Sequence, residues 1–280
     1  MTIPSFIGIG GERCGSTWMF EMLKQHPQIY MPLKRKEINF FNKHYDRGFE
    51  WYESFFPDSE NQKKYSIIGE FTPSYLYSAA AAERIAKTGQ IKKLIVILRN
   101  PIARLYSDYG QTVRIQGATQ TFEEFIKKES RSVEYGFYGK YLEKYLARFD
   151  RDSICHFIFE DAVKDLDSTK ATIANFLEVD IKEFPETAGA KKVNETYIPK
   201  FKKINQIADR IRCKLIRSNN DWAINFAKQL GVQKILKIGA KKKLPPMSET
   251  TRQRLLEMYK PDIEKLEKIL DINLERWKSR

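Results

Sequence analysis

An α/β fold, with a central parallel sheet layered between helices and a helical C-terminal region, is what this sequence predicts. Short apolar runs alternate with segments of helical period as far as Leu177, the first such pair is joined by a glycine-rich loop, and beyond Lys191 the alternation stops. Strands that alternate with helices imply a parallel sheet, because successive parallel strands need a crossover and the helix supplies it.

The first strand is expected in "SFIGIG", Ser5–Gly10. The following "STWMFEMLKQHP" places Trp18, Met19, Met22 and Leu23 at helical spacing before Pro27 ends the pattern. "YSIIGE", Tyr65–Glu70, reads as a strand, "SAAAAERIAKTG" as a helix closed by Gly89, and "KKLIVILRN" as a buried strand leading into a helix after Pro101. "SICHFIFE" and "TKATIANFL" repeat the pair. From Ala190, "AKKVNETYIPKFKK" is polar and basic with no strand period, and "TRQRLLEMYKPDIEKLEKIL", Thr251–Leu270, returns to helical period. Residues 190–249 are expected to be part loop and part helix covering the ligand cleft. The organisation predicted is one domain over residues 1–280, with a core at 4–190 and a helical or lid region at 191–280.

A chain of 280 residues with 42% hydrophobic content can bury a large core and lacks the low hydrophobicity of disorder. Its net charge of +13 points to anionic partners without choosing among nucleotide, acidic glycan, nucleic acid or lipid. No nucleic-acid recognition motif accompanies that charge, so no specific nucleic-acid partner is expected. Three widely spaced cysteines, Cys14, Cys155 and Cys213, argue against a disulfide framework, and no CxxC suggests zinc or another metal. With no secretory signal and no apolar run of about 20 residues, the expectation is a cytoplasmic protein. The amphipathic "DWAINFAKQLGVQKILKIG" reads as a cleft-covering helix, with membrane contact over residues 222–243 as the alternative.

The stretch "GGERCGST", Gly10–Thr17, has the spacing of a nucleotide-triphosphate P-loop, but Ser16 stands where that motif has its lysine. Placed at a helix N-terminus, the loop can still bind an anion through free backbone N–H groups and the positive end of the helix dipole. Arg99 and Asn100 follow the apolar "LIVIL", which brings them to the same carboxyl edge of the sheet, where ligands of such folds bind.

Four segments in order resemble the PAPS-dependent sulfotransferase superfamily, in its bacterial and glycan-type form: "ERCGSTW", "KEINFF", "GEFTPSYLY" and "LIVILRNPIARLYSDY". Such enzymes transfer a sulfuryl group from 3′-phosphoadenosine 5′-phosphosulfate (PAPS), leaving 3′,5′-adenosine bisphosphate (PAP). The resemblance implies a P-loop-like three-layer fold and metal-independent, in-line transfer to the hydroxyl of a small-molecule or glycan acceptor. It assigns the 5′-phosphosulfate to Arg13, Cys14, Gly15, Ser16, Thr17 and Trp18, with Arg13 as the catalytic cation and Cys14 giving only its N–H. The 3′-phosphate falls to Arg99 and, eight residues on, Ser107. Glu37 becomes the general base, with Lys34, Arg35 and Lys36 holding it ionised or binding an acidic acceptor. His44 is the rival base, whereas His26 and His156 read as structural and Arg104 and Tyr106 as surface and packing residues. Two departures stand out. Phe71 occupies the place where glycan-type members often have a lysine, and the Arg-Lys-Gly adenine-side motif is absent, leaving Lys191, Lys192 and Asn194 as its replacement. A P-loop kinase or NTPase, or a non-catalytic polyanion binder, is the alternative function.

Overall fold

A computed structural model describes residues 3–116, 120–191, 207, 211, 244 and 246–279. The expectations for Lys192, Asn194 and Cys213, and for the amphipathic stretch at 222–243, lie outside the described residues. The chain divides into two compact units: Met1–Asn100, Phe137–Val193 and Tyr259–Ser279 form the first, and Pro101–Gly136 with Asn194–Met258 and Arg280 form the second.

The first unit holds a five-stranded parallel sheet, with β1 at Phe6–Gly10, β2 at Ile29–Tyr30, β3 at Ile67–Phe71, β4 at Lys93–Leu98 and β5 at Ile154–Ile158. The strand order is β2-β3-β1-β4-β5, so β1 and β4 are central. Central parallel strands are covered on both faces, which is why β1 and β4 read as unbroken apolar runs. Along β1, Phe6, Ile7 and Gly8 pair with Gly69, Glu70 and Phe71 of β3. Its other edge runs from Phe6 opposite Lys93 to Gly10 opposite Val96, with a register shift between Gly8 and Gly10.

Helices of this unit are α1 (Ser16–Leu23), α2 (Phe40–Lys43), α3 (Gly48–Glu53), α4 (Ser59–Gln62) and α5 (Ala79–Lys87). In α1, Trp18, Met19, Met22 and Leu23 are all buried, as their spacing predicts. They join Phe6, Ile67, Phe71, Ile95, Ile97 and Phe157 of the sheet in one core cluster. Helix α5 begins where the Ser78 hydroxyl accepts the Ala81 N–H at 3.1 Å, a cap of about 1 kcal/mol. It ends before Gly89, whose φ of 63° is the left-handed turn that the closing glycine predicts.

The second unit opens with α6 (Pro101–Gln116), α7 (Phe122–Lys128) and α8 (Ser130–Glu134). Its α7 starts with the reciprocal bonds of Thr121 and Glu124. Arg104, expected at the surface, is instead fully buried. It pairs with Asp108 at 2.8 Å and donates to the Ser132 carbonyl, and Ser132 Oγ donates to the same Asp108 oxygen at 2.7 Å. A buried guanidinium is tolerated because each of these contacts replaces water. Tyr106 packs its ring on Phe122, at 5.3 Å between centroids.

The first unit continues with α9 (Tyr138–Leu146), α10 (Phe159–Ala162) and α11 (Leu166–Leu177). Helix α12 (Glu249–Leu270) carries the predicted C-terminal period, and α13 (Glu275–Lys278) follows it. The fold is therefore the α/β arrangement expected, a parallel sheet flanked by helices with a further C-terminal helical segment. Among the described residues, no helix is long and apolar enough to cross a membrane.

Candidate functional site

The glycine loop leaves β1 and turns into α1 at the carboxyl edge of the sheet. Gly11 N–H donates to the Ile97 carbonyl at 2.6 Å, tying the loop to β4. Gly15 ends the loop with φ 99°, and a β-carbon there would lie 2.3 Å from the Phe159 ring, so only glycine fits on both counts. No side chain caps α1, and its first turn contains no acid. That leaves an electropositive N-terminus, the condition for holding an anion.

Cys14 is fully buried. Its N–H points to the Gly11 carbonyl at 3.3 Å, and its Sγ lies 3.4 Å from the Tyr138 hydroxyl, which donates to the Arg99 carbonyl at 2.9 Å. The cysteine thus joins the loop to the end of β4, and its expected N–H contact with an anion competes with this internal bond. Trp18 is a core residue, with its indole N–H donating to the Gly189 carbonyl at 2.8 Å. Any contact it makes with an anion falls to its backbone.

The missing P-loop lysine is answered from another segment. Lys36, between β2 and α2, donates to Thr17 Oγ1 at 2.9 Å, Ser16 Oγ at 3.2 Å and Glu37 Oε1 at 3.2 Å. Its side chain is 19% exposed and that of Glu37 45%. Burial pulls the Lys36 ammonium below the usual lysine range, the neighbouring Glu37 opposes that shift, and the Arg13 charge adds to it. The other two cations of the triplet turn elsewhere: Lys34 reaches the Ser54 carbonyl at 3.5 Å, and Arg35 lies over the Phe55 ring. Lys36 was read from the sequence only as a neighbour of Glu37, and nothing in three consecutive cations signals which one turns inward.

Glu37 is positioned from beneath by β3 and the turn after it. Glu70, on β3, is fully buried, and its Oε1 accepts from the Tyr52 and Tyr75 hydroxyls at 2.9 Å each. Its Oε2 accepts from Thr72 at 2.6 Å. Thr72 in turn accepts the Asn39 N–H at 3.3 Å, and Tyr75 accepts the Phe41 N–H at 3.3 Å. The Asn39 amide donates to the Glu37 carbonyl at 3.0 Å and accepts from Ser74 at 3.0 Å. The "GEFTPS" segment is therefore the anchor of "KEIN", which gives a physical reason for the two to occur together. Burial raises the Glu70 carboxyl to about 7, against the pull of its three hydroxyl donors. The sequence carried a signal for this residue, a carboxylate inside an apolar strand, since such a group needs internal partners.

Phe71 turns into the core, where its ring fills the space that a Gly8 β-carbon would take, 2.2 Å away. Arg99 follows β4 directly and is half-buried, with its guanidinium 5.3 Å from the centre of the Phe159 ring, and its buried Nε makes no hydrogen bond among the described residues. Ser107 stands half-buried on α6 in the second unit. Lys191 is exposed.

Of the histidines, His44 packs its ring on Trp51 at 5.3 Å, and burial with the charges of Arg35, Arg47 and Lys43 lowers its pKa. His26 is buried and bridges the Asp180 carbonyl and the Gln28 N–H, a structural role. Burial in β5 drives His156 down to about 4.

Comparison with known proteins agrees with the motif order. The sulfotransferase domain family model matches residues 4–268. Human heparan sulfate glucosamine 3-O-sulfotransferase 3B1 is 32% identical over 156 residues, covering 52% of this chain and 39% of that protein. The membrane-associated sulfotransferase kil1 of Dictyostelium discoideum is 34% identical over 140 residues, 48% of this chain and 30% of that protein. The chain thus spans well under half the length of these relatives. A sulfotransferase from Alicyclobacillus acidocaldarius shares the fold over 100% of both chains, with a TM-score of 0.67 and 20% identity. With the family model covering nearly the whole chain, the protein belongs to the sulfotransferase domain family.

Proposed function

We propose that this protein transfers a sulfuryl group from PAPS to the hydroxyl of a small-molecule or glycan acceptor. The observation that carries this reading is the bridge made by Lys36, which places the half-exposed Glu37 carboxylate one ammonium away from the hydroxyls of an anion-binding loop. A base beside a phosphate loop is what transfer to an alcohol requires.

The residues present fit the donor. Arg13, the N–H groups around Gly15 and the hydroxyls of Ser16 and Thr17 would hold the 5′-phosphosulfate. The Arg99 Nε, buried and without a hydrogen bond among the described residues, would hold the 3′-phosphate. PAPS supplies an activated sulfuryl group: the acceptor oxygen bonds to sulfur while the bond from sulfur to the 5′-phosphate oxygen breaks and leaves its electron pair on that phosphate. Glu37 takes the acceptor proton, and Arg13 neutralises charge that grows on the leaving phosphate. In-line geometry, with both partners held, accounts for most of the rate. No divalent metal has a role in these steps. The relatives' names give a glycan acceptor, heparan sulfate glucosamine, which extends to this chain as an acceptor class alone.

The test is a thermal-shift screen followed by a transfer assay with radiolabelled PAPS in the presence of a chelator. Stabilisation by PAP but not by ATP, with transfer that survives chelation, is expected. Stabilisation by magnesium ATP alone would replace this reading with a P-loop kinase.

A further inference from the structure

Building on the sulfotransferase reading, we propose that Lys36 is a catalytic residue: its ammonium is a second cation on the transferred sulfuryl group, and the donor competes with Glu37 for it. In a P-loop the lysine follows the second glycine and reaches the phosphates. Here Ser16 holds that place, and an ammonium from twenty residues further along the chain docks on the hydroxyls of Ser16 and Thr17 instead. Phe71 brings no charge from the neighbouring strand end, and its ring is in the core against Gly8.

The surroundings of Lys36 call for an anion. Its side chain is mostly withdrawn from water, and the Arg13 cation acts on it at the uncapped start of α1. Two hydroxyls and one half-exposed carboxylate, Glu37, replace the hydration that this ammonium gives up, and the positive charge of Arg13 nearby adds to the cost. An anion shared by Arg13, Lys36 and the helix N-terminus reverses both terms.

An ammonium has three N–H groups, and those of Lys36 go to Ser16, Thr17 and Glu37. A sulfonate oxygen must displace one of the three. The hydroxyls are fixed on the first turn of α1, whereas the Glu37 side chain is 45% exposed and regains water when released. Glu37 is therefore the partner that gives way, and its carboxylate becomes available to the acceptor proton when the donor is in place. Lys36 keeps its protons throughout. The proton that moves goes from the acceptor hydroxyl to Glu37, and the electron pair of the broken S–O bond stays on the 5′-phosphate.

Calorimetric binding of PAPS and of PAP, without acceptor, tests this on the full chain. Lys36→Met keeps the length of the stem and removes the charge. It should weaken PAPS by roughly 10- to 100-fold, the range for a charged hydrogen bond, and PAP by no more than a few fold. Glu37→Gln should tighten PAPS several-fold by freeing the ammonium, and that gain should vanish in the double variant. Lys36→Arg should restore part of the preference for PAPS over PAP, and Lys36→Gln carries the same test if the methionine variant does not fold. Equal losses for both nucleotides, or strictly additive effects in the double variant, overturn the role of Lys36 and leave the sulfotransferase reading intact. If the wild type binds neither nucleotide, the sulfotransferase reading fails, and the role of Lys36 fails with it.

Discussion

Glu70 makes the anchor beneath the site sensitive to pH, and Glu70→Gln isolates the effect. The folded protein holds this carboxyl at about 7, raised chiefly by burial from an ordinary value of 4.5. At about 1.4 kcal/mol per unit, that difference is worth roughly 3 kcal/mol. The sign follows from proton binding: between the two values the folded state keeps a proton that the unfolded chain releases, so stability falls as pH rises. The contribution is whole below about pH 4.5 and lost once pH has passed about 7. Glutamine cannot titrate, so the wild type's stability relative to Glu70→Gln should fall by up to about 3 kcal/mol between pH 4.5 and 8. Urea unfolding followed by tryptophan fluorescence measures it, because subtracting the two curves cancels groups common to both proteins. Parallel curves across this window would refute the reasoning and show that the Tyr52, Tyr75 and Thr72 hydroxyls hold Glu70 ionised without cost.

Gly15→Ala should cost roughly 2–5 kcal/mol, because it adds a left-handed residue with a β-carbon to a contact with Phe159. Only the contact should be relieved by Phe159→Ala in a double-mutant cycle, and a Gly15→Ala protein as stable as wild type would exclude the strain. Arg99→Ala should weaken PAPS by about 2–3 kcal/mol and leave adenosine 5′-phosphosulfate nearly unchanged, since the two differ only in the 3′-phosphate. Equal losses in competition binding would remove Arg99 from that phosphate. Glu37→Gln should lower turnover about 10²–10⁴-fold at saturating acceptor, while His44→Ala does much less. The reverse ranking in steady-state kinetics would make His44 the base.

The central strands were legible because burial on both faces leaves an unbroken apolar run, as in "LIVIL". Helix α5 was legible from both ends, through Ser78 and Gly89. What the pattern could not show is built from pieces too short for a period. Strand β2 is two residues long, and helices α2 to α4 are four to six. Helices α2 and α3 are held by aromatic packing such as the stack of Phe40 on Tyr52, 4.4 Å between centroids, and α4 starts at the Asp58 cap. Arg104 was misread for a related reason: its partners are Asp108 on its own helix, which a sequence spacing can suggest, and Ser132 on another, which it cannot.

The same division runs through the site. The loop from Gly10 to Thr17 is local, so its spacing reveals its place at the N-terminus of α1, where an anion is expected. The acceptor side is not local. Asn39 and Phe41 are fixed by hydroxyls 33 and 34 residues along the chain, and those hydroxyls are fixed by Glu70. A carboxylate buried in β3 thus fixes Asn39 and Phe41 and, through the Asn39 amide, the Glu37 carbonyl. The inward turn of Lys36, and the turns of Lys34 toward the Ser54 carbonyl and of Arg35 over the Phe55 ring, follow from contacts that only the folded chain brings together. The residues proposed to hold the donor and Glu37, proposed to act on the acceptor, consequently meet at one side chain, Lys36. Changes around Thr72, Ser74 and Asn39 should therefore reach the loop as well, because Lys36, next to Glu37 in the chain, donates to Ser16 and Thr17 at its end.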